Sequence, residues 1–129
     1  MKGFIRTAEL LLGILFLGAG LNGYFVLFGF EPFAPTNPAA MEFLGDGYLL
    51  AMEKGVEIIA GILLIIRRFI PLVLVALTGI IVNIFAFHIF VDPELLLLAI
   101  VLVVLEGILV WAYRENYKGI VESKPHWKS

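Results

Sequence analysis

The sequence predicts an all-α integral membrane protein, a four-helix antiparallel bundle with both termini in the cytoplasm and a short interfacial helix in the first external loop. Of its 129 residues, 61% are hydrophobic and 16% are charged, and the mean hydropathy is +1.02. Soluble domains carry about 45–50% apolar and about 25% charged residues. Four apolar runs are each long enough to cross a bilayer core of about 30 Å as a helix. A soluble chain of this size would leave such helices without a polar layer to cover them.

The four predicted helices fill a single membrane domain, 1–129. They cover residues 7–30, 47–66, 69–91 and 94–114, with an external loop at 31–46 and a polar cytoplasmic tail at 115–129. Lipid offers the backbone no hydrogen-bond partners, so the runs are predicted as helices rather than strands. The first run is too long for the core of a signal peptide and no Ala-x-Ala site follows it, so we interpret it as a retained helix.

Basic residues set the predicted orientation. No basic residue lies in the external loop 31–46 or in the turn at Asp92. All but one of the basic residues lie in the N-terminus, in the turn between the second and third helices, or in the tail. By the positive-inside rule these basic segments face the cytoplasm, which predicts a multi-pass protein of the cell (inner) membrane. The basic residues concerned are Lys2, Arg6, Arg67, Arg68, Arg114, Lys118, Lys124 and Lys128.

The connections differ in length and in predicted structure. The turn at Arg67 is minimal, and the turn at Asp92 is predicted to cap the fourth helix, with Pro93 at its first position. The first external loop is longer and contains three prolines. Within it, an Asn-Pro pair predicts a short helix over 38–44, which serves either as a connector on the membrane surface or as a lid over the bundle.

Polar side chains within the apolar runs predict the functional site. An ionisable group inside the hydrocarbon costs at least about 2.5–3.5 kcal/mol, so it must face other helices or water. Most of these residues fall in the outer half of the membrane, which predicts a polar pocket reached from the external side. The candidates for the pocket and for proton exchange are Glu57, Glu53, Lys54, His88, Asn83 and Asn22, and the secondary polar contacts, on one face of the fourth helix, are Glu106 and Tyr113.

The second helix carries the most specific pattern. Glu53, Glu57 and Gly61 are spaced by four and lie on one stripe, with Lys54 about 60° from Glu57 around the helix. Lys54 can therefore neutralise one carboxylate and leave the other protonated or paired with His88 or a partner helix. Such a carboxylate suits quinone or proton chemistry. The alternative is a structural clamp that holds the helices together.

The residue types restrict the cofactors. Without cysteine the chain forms no thiolate metal site and no iron–sulfur cluster. His88 and His126 lie on opposite sides of the predicted membrane, so no metal is predicted and a haem with two histidine ligands is excluded, while ligation by one histidine stays open.

Asn83 and His88 diverge by about 140° around the third helix, so they line one cavity only if it is wide. The composition gives no reason to propose nucleic-acid binding.

Small residues of the first helix predict close helix packing. Ala19 and Gly23 match the small-xxx-small pattern that lets two helix backbones approach each other. We expect this packing within one chain, although a homo-oligomer stays open.

Five sequence motifs in order carry a resemblance to a known family: Leu17-Gly18-Ala19-Gly20-Leu21-Asn22-Gly23, Gly47-Tyr48-Leu49-Leu50, Val56-Glu57-Ile58-Ile59-Ala60-Gly61, Ile81-Val82-Asn83-Ile84 with Phe87-His88, and Trp111-Ala112-Tyr113-Arg114. In this order and spacing they resemble the DoxX-like family of small four-helix membrane proteins, over nearly the whole chain. The resemblance implies a membrane component of oxidoreductase systems such as thiosulfate:quinone oxidoreductase. It also places Asn22, Glu57, Asn83 and His88 in the pocket, whereas Lys54 has no assignment from it.

Two functions are compatible with these features. In the first, the protein is a membrane subunit of a quinone-linked oxidoreductase system, in which Glu57, Glu53 or His88 exchanges protons with a quinone and a redox partner protein supplies the electrons. In the alternative, it is a non-enzymatic binder of a small molecule or lipid, a carrier or a membrane assembly factor that uses the same pocket.

Overall fold

A computed structural model describes residues 1–32, 47–91 and 93–124 of the chain. The predicted helix over 38–44, the Asp92 cap and His126 lie outside these ranges. Within them the chain forms four α-helices and two 3-10 turns and no strand, so the prediction of an all-helical chain is confirmed. The elements are α1 (Lys2–Leu27), α2 (Tyr48–Ile66), α3 (Ile70–Phe90) and α4 (Leu96–Ala112), with 3-10 turns at Pro93–Leu95 and Arg114–Tyr117.

Within the described residues, three helical stretches are long and apolar enough to cross a membrane: Lys2–Leu27, Ile70–Phe90 and Pro93–Ala112. The fourth predicted span, α2, has 19 residues and a largely apolar sequence, but it also carries Glu53, Lys54 and Glu57. The chain thus has the helices of a membrane protein. The charged residues of α1 all lie near its start, whereas the three charges of α2 lie within its apolar run.

The helix boundaries differ most from the prediction at α1, which was expected over 7–30 and runs over Lys2–Leu27. It begins earlier because Arg6 contacts α2 and belongs to the packed helix. It ends earlier because Gly29 adopts φ +82° and closes a Schellman motif, in which the Phe30 N–H donates to the Phe25 carbonyl over 2.7 Å. The rings of Phe25 and Phe30 meet edge to face with centroids 6.1 Å apart, and this apolar contact completes the helix end.

The helices form a ring in which each packs against two neighbours, in the order α1, α2, α3, α4 and back to α1. Arg6, near the start of α1, donates to carbonyls at the end of α2, and Tyr117, after α4, donates to the Pro71 carbonyl at the start of α3. Successive helices are therefore antiparallel. We call the end of the ring that holds these contacts the basic end, after its cationic residues Arg6, Arg67, Arg68, Arg114 and Lys118.

Glycines bring the backbones of α1 and α2 into close contact, in the most extensive interface of the ring. A Cβ built on Gly61 would lie 2.6 Å from the Gly13 carbonyl oxygen and 2.7 Å from the Leu17 nitrogen. Ala19, which the small-xxx-small pattern paired with Gly23, is exposed instead. The small residues thus serve packing within the chain, at Gly13, Gly20 and Gly23 of α1 but not at Ala19.

Apolar side chains fill the ring and also cover its outside. The interior ones, all buried, include Leu12, Phe16, Leu64, Leu74, Leu77 and Leu109. The exterior ones, all exposed, include Ile14, Ile59, Leu72, Val82, Leu97 and Val104. An exterior this apolar suits contact with lipid rather than water.

The turn between α2 and α3 contains two non-glycine residues with positive φ, Arg67 at 60° and Phe69 at 55°. The Arg68 N–H donates to the Leu63 carbonyl over 2.9 Å, which ends α2 tightly. A left-handed conformation costs about 1–2 kcal/mol for a residue with a side chain, and at Arg67 the side-chain contacts with Glu9 and Tyr113 oppose this cost.

Candidate functional site

Three charged side chains of α2, Glu53, Lys54 and Glu57, form the carboxylate–lysine cluster. The Nζ of Lys54 lies 3.2 and 3.4 Å from the two carboxylate oxygens of Glu57 and 3.6 Å from Oε1 of Glu53. The exposed fraction is 1% for the Glu57 side chain, 15% for Lys54 and 19% for Glu53. Glu57 therefore has Lys54 as the counter-ion that a buried carboxylate requires, and Glu53 connects the cluster to the outside of the ring.

Glycines of α1 provide the space in which Lys54 lies. A Cβ on Gly23 would overlap the side chain of Lys54, and a Cβ on Gly20 would lie 2.8 Å from the Lys54 carbonyl oxygen. The Tyr24 hydroxyl donates to the Ala51 carbonyl over 2.8 Å and joins the same two helices. The end of α1 thus holds the first half of α2 in place and leaves the Lys54 amine beside its own helix, next to Glu57.

The other three predicted pocket residues differ in their environment. Asn22 is buried, and His88 is buried with its Nδ1 at 2.7 Å from the Ile84 carbonyl, to which it donates. The Nε2 of His88 has no hydrogen-bond partner among the residues that the structure describes. Asn83 is exposed on the outside of α3. Among the described residues, no hydrogen bond or ion pair joins His88 or Asn83 to the carboxylate–lysine cluster, so the structure brings together Glu53, Lys54 and Glu57 but not these two.

Glu106 of α4, a predicted secondary contact, pairs with α3. The Thr78 hydroxyl lies 2.6 Å from Oε2 of Glu106 and 2.7 Å from the Leu74 carbonyl. A hydroxyl donates one hydrogen bond and a carbonyl only accepts. The Thr78 hydroxyl therefore donates to one of these two oxygens at a time, and its contact with Glu106 holds α3 against α4.

A second group of charges, which we call the Glu9 cluster, lies at the basic end and consists of Glu9, Arg6, Arg67 and Tyr113. The Glu9 side chain is 0% exposed, with Arg67 Nε at 3.0 Å and Arg6 Nη1 at 3.4 Å from its Oε1. The Tyr113 hydroxyl donates to Oε2 of the same carboxylate, and Nη2 of Arg67 donates to Tyr113 over 3.3 Å. Arg6 also donates to the last carbonyls of α2, over 3.2 and 2.5 Å. One carboxylate thus ties α1 to the ends of α2 and α4.

Sequence reasoning included Tyr113 as a secondary contact but omitted Glu9 from the candidate site. The available signal was the three-residue spacing of Arg6 and Glu9, which places a cation beside a carboxylate on one helix face. That spacing predicts the local pair and does not indicate that Arg67 and Tyr113 reach the same carboxylate.

The partners of Tyr113 make the basic end sensitive to high pH. Burial raises the pKa of Tyr113 above its ordinary value of 10.0, and the hydrogen bond to Glu9 raises it further. A raised pKa in the folded state means that the contribution of Tyr113 to stability is present below about pH 10 and is lost as the phenol ionises at higher pH. We expect the stability difference between wild type and Tyr113→Phe to shrink from pH 9 to pH 11.5.

Thermal unfolding in detergent, followed by circular dichroism, measures that difference. Tyr48→Phe is the matched control, because it removes the same hydroxyl from an exposed residue at the opposite end of α2, away from the Glu9 cluster. A stability difference for Tyr113→Phe that does not change over this range would contradict the assigned role of the protonated phenol.

Within residues 1–32, 47–91 and 93–124, no group of three or more histidine or carboxylate side chains is placed to hold a metal ion. Comparison of the chain with protein-family models, with curated proteins and with solved structures found no match.

Proposed function

We propose that the chain is a cell-membrane protein of four spans, with both termini in the cytoplasm, that acts as a membrane subunit of a quinone-linked oxidoreductase system. The observation that carries the proposal is the carboxylate–lysine cluster, in which the buried Glu57 lies 3.2 Å from Lys54. The motifs that resemble the DoxX-like family support the same interpretation, since Glu57 and Asn22 lie within them.

The chemistry of a quinone fits this group of side chains. Its two carbonyl oxygens accept hydrogen bonds, and a quinone that receives two electrons also takes up two protons. Lys54 is the donor for a carbonyl oxygen, and a carboxyl group beside it holds or releases a proton. Glu53, at 19% exposed, is the member through which protons exchange with the surroundings. The redox partner supplies the electrons.

The orientation follows from the charges of the connections. If the basic end faces the cytoplasm, the first half of α2 and its cluster lie in the outer half of the membrane. The span of α2 is compatible with its three charges because Lys54 offsets one carboxylate and neighbouring helices shield all three from lipid.

The alternative function is a binder, carrier or assembly factor without redox activity. The pairing of Lys54 with both Glu53 and Glu57 favours it, because side chains that already pair with one another need no proton exchange with a quinone to be stable. The two functions differ in whether a bound quinone is present and is reduced.

The test compares Glu57→Gln with wild type purified in mild detergent. We expect wild type to release a quinone on solvent extraction and to show its absorption change on reduction. The Glu57→Gln variant should retain at least about tenfold less quinone than wild type, because it loses the charge-assisted contact of the Glu57 carboxylate. Glu31→Gln, which alters an exposed carboxylate, is the matched control and should retain the wild-type amount. Circular dichroism checks that both variants keep their helix content.

Only phospholipid in the wild-type extract, together with unchanged behaviour of Glu57→Gln, would overturn the quinone proposal. A bound quinone that no electron donor reduces would favour the alternative.

A further inference from the structure

A cleft of about 440 Å³ opens at the basic end of the ring, lined by Arg67, Phe69, Ile70, Pro71, Tyr113 and Asn116. It is distinct from the carboxylate–lysine cluster, because Arg67 follows Glu57 by ten residues, or about 15 Å along α2. The proposed function makes no use of this cleft.

The charge beside the cleft is positive. Glu9 contributes one negative charge to its cluster, and Arg6 and Arg67 contribute two positive charges. Glu9 is 0% exposed whereas the Arg67 side chain is 53% exposed, so the excess charge lies on the side that lines the cleft. The hydrogen bond with Tyr113 and the charge of Glu9 raise the pKa of Arg67, which stays ionised.

The guanidinium of Arg67 is held in place from one side only. Its Nε contacts Glu9 and its Nη2 donates to Tyr113, while its Nη1 makes no hydrogen bond to the described residues. Asn116 adds a side-chain amide to the lining, and none of the carboxylates in the described part of the chain belongs to it. The nearest acid along the chain, Glu115, is paired with Lys118 at 2.7 Å. The cleft therefore offers donors and positive charge to an anion.

The remaining lining is apolar. Phe69, Ile70 and Pro71 follow the strained turn, and Phe69 is exposed although it is a large aromatic residue. The left-handed conformations of Arg67 and Phe69 place a cation and an aromatic ring on either side of Arg68. A ligand that matches both surfaces carries an anionic group next to an apolar body.

We infer that this cleft binds a phosphate group through Arg67 and Asn116. The apolar lining and the position at a membrane surface favour the headgroup of an anionic phospholipid as the source. Inorganic phosphate in the adjoining aqueous phase has the same chemistry and is the other source. The N–H groups of a guanidinium and of an amide lie in a plane and donate hydrogen bonds to phosphate oxygens.

Native mass spectrometry of the full chain in detergent tests this assignment, with phosphatidylglycerol and phosphatidylcholine as probes at equal concentration. We expect wild type to retain phosphatidylglycerol at least about tenfold better than phosphatidylcholine, because the choline ammonium offsets the negative charge of the phosphate in the second lipid. Arg67→Gln should abolish that preference. Arg68→Gln removes the same charge from a residue outside the lining, so it should keep the preference.

Because Arg67 also pairs with Glu9, Arg67→Gln can lose its fold. Asn116→Asp is the second variant: it brings a negative charge into the lining without removing a recorded side-chain contact, and it should also reduce the preference about tenfold. Inorganic phosphate at millimolar concentration distinguishes the sources. If it displaces the lipid, the site recognises phosphate itself, and if it does not, the site recognises the headgroup together with the acyl chains. Equal retention of both lipids by wild type, or equal losses in Arg67→Gln and Arg68→Gln, would overturn the inference.

Discussion

The Gly61→Ala variant is expected to unfold at a lower temperature than the wild type, although alanine is the better helix former. The added Cβ would lie 2.6 Å from the Gly13 carbonyl oxygen, 2.7 Å from the Leu17 nitrogen and 2.9 Å from the Leu17 Cβ. Two of these atoms belong to the backbone, so no side-chain rotation relieves the overlap and α1 must move away from α2. Overpacking of this kind costs about 1–3 kcal/mol.

The control is Gly18→Ala on α1. A Cβ at Gly18 would meet nothing within 4 Å, so the substitution should leave stability unchanged or raise it by up to about 1 kcal/mol through helix propensity. Thermal unfolding in one detergent, monitored by circular dichroism, gives both values. The expected result is a loss of stability for Gly61→Ala and no loss for Gly18→Ala. A loss of the same size in both variants would show that alanine is harmful in this chain for reasons other than contact between α1 and α2.

Glu9→Gln is expected to cause the largest loss of stability among single substitutions at the basic end. The Glu9 carboxylate is 0% exposed and accepts contacts from Arg6, Arg67 and Tyr113. Glutamine keeps the size of the side chain but removes the negative charge, which leaves two guanidinium groups close together without their counter-ion. Breaking a buried ion pair costs about 3–5 kcal/mol, and the lower end applies because Arg67 remains half exposed.

Two further variants determine where that loss arises. Glu115→Gln removes an exposed carboxylate from a pair with Lys118 and should cost about 0.2–1 kcal/mol or less. Tyr113→Phe removes only the hydroxyl and should cost about 0.5–1.5 kcal/mol. In a double-mutant cycle, Glu9→Gln with Tyr113→Phe should cost less than the two separate losses combined, because both act on the same hydrogen bond. Additive losses, or a Glu9→Gln loss no larger than that of Glu115→Gln, would contradict the role of Glu9 as the anchor of three helix ends.

Some features of the site were predictable because they depend on one helix alone. Glu53, Lys54 and Glu57 fall within five consecutive residues of one helix, so their proximity follows from helix geometry once the segment is helical. The end of α1 was also open to prediction, since Gly29 is the residue type that the left-handed position of a helix end favours. The helix was instead predicted to end at Phe30 because the prediction followed the length of the apolar run.

Other features depend on how the helices are rotated and paired. Asn83 was predicted to line a pocket but is exposed, whereas Glu9 was left out of the site and is fully buried. In a soluble bundle the polar face of a helix identifies its outside. Here the outside is covered by residues such as Ile14 and Val82, so the apolar residues do not mark which face of α1 or α3 is buried.

Four features are predictable from composition or from spacing within one segment: the helical class, the approximate extent of four helices, the confinement of basic residues to alternate connections and the pairing of charges along α2. Three contacts become visible only in the folded chain: Arg67 and Tyr113 meet Glu9, Gly61 lies against Gly13, and a cleft opens beside Arg67. Those contacts join residues far apart in the chain, and their register is set by close backbone packing between helices whose inner and outer faces are both apolar.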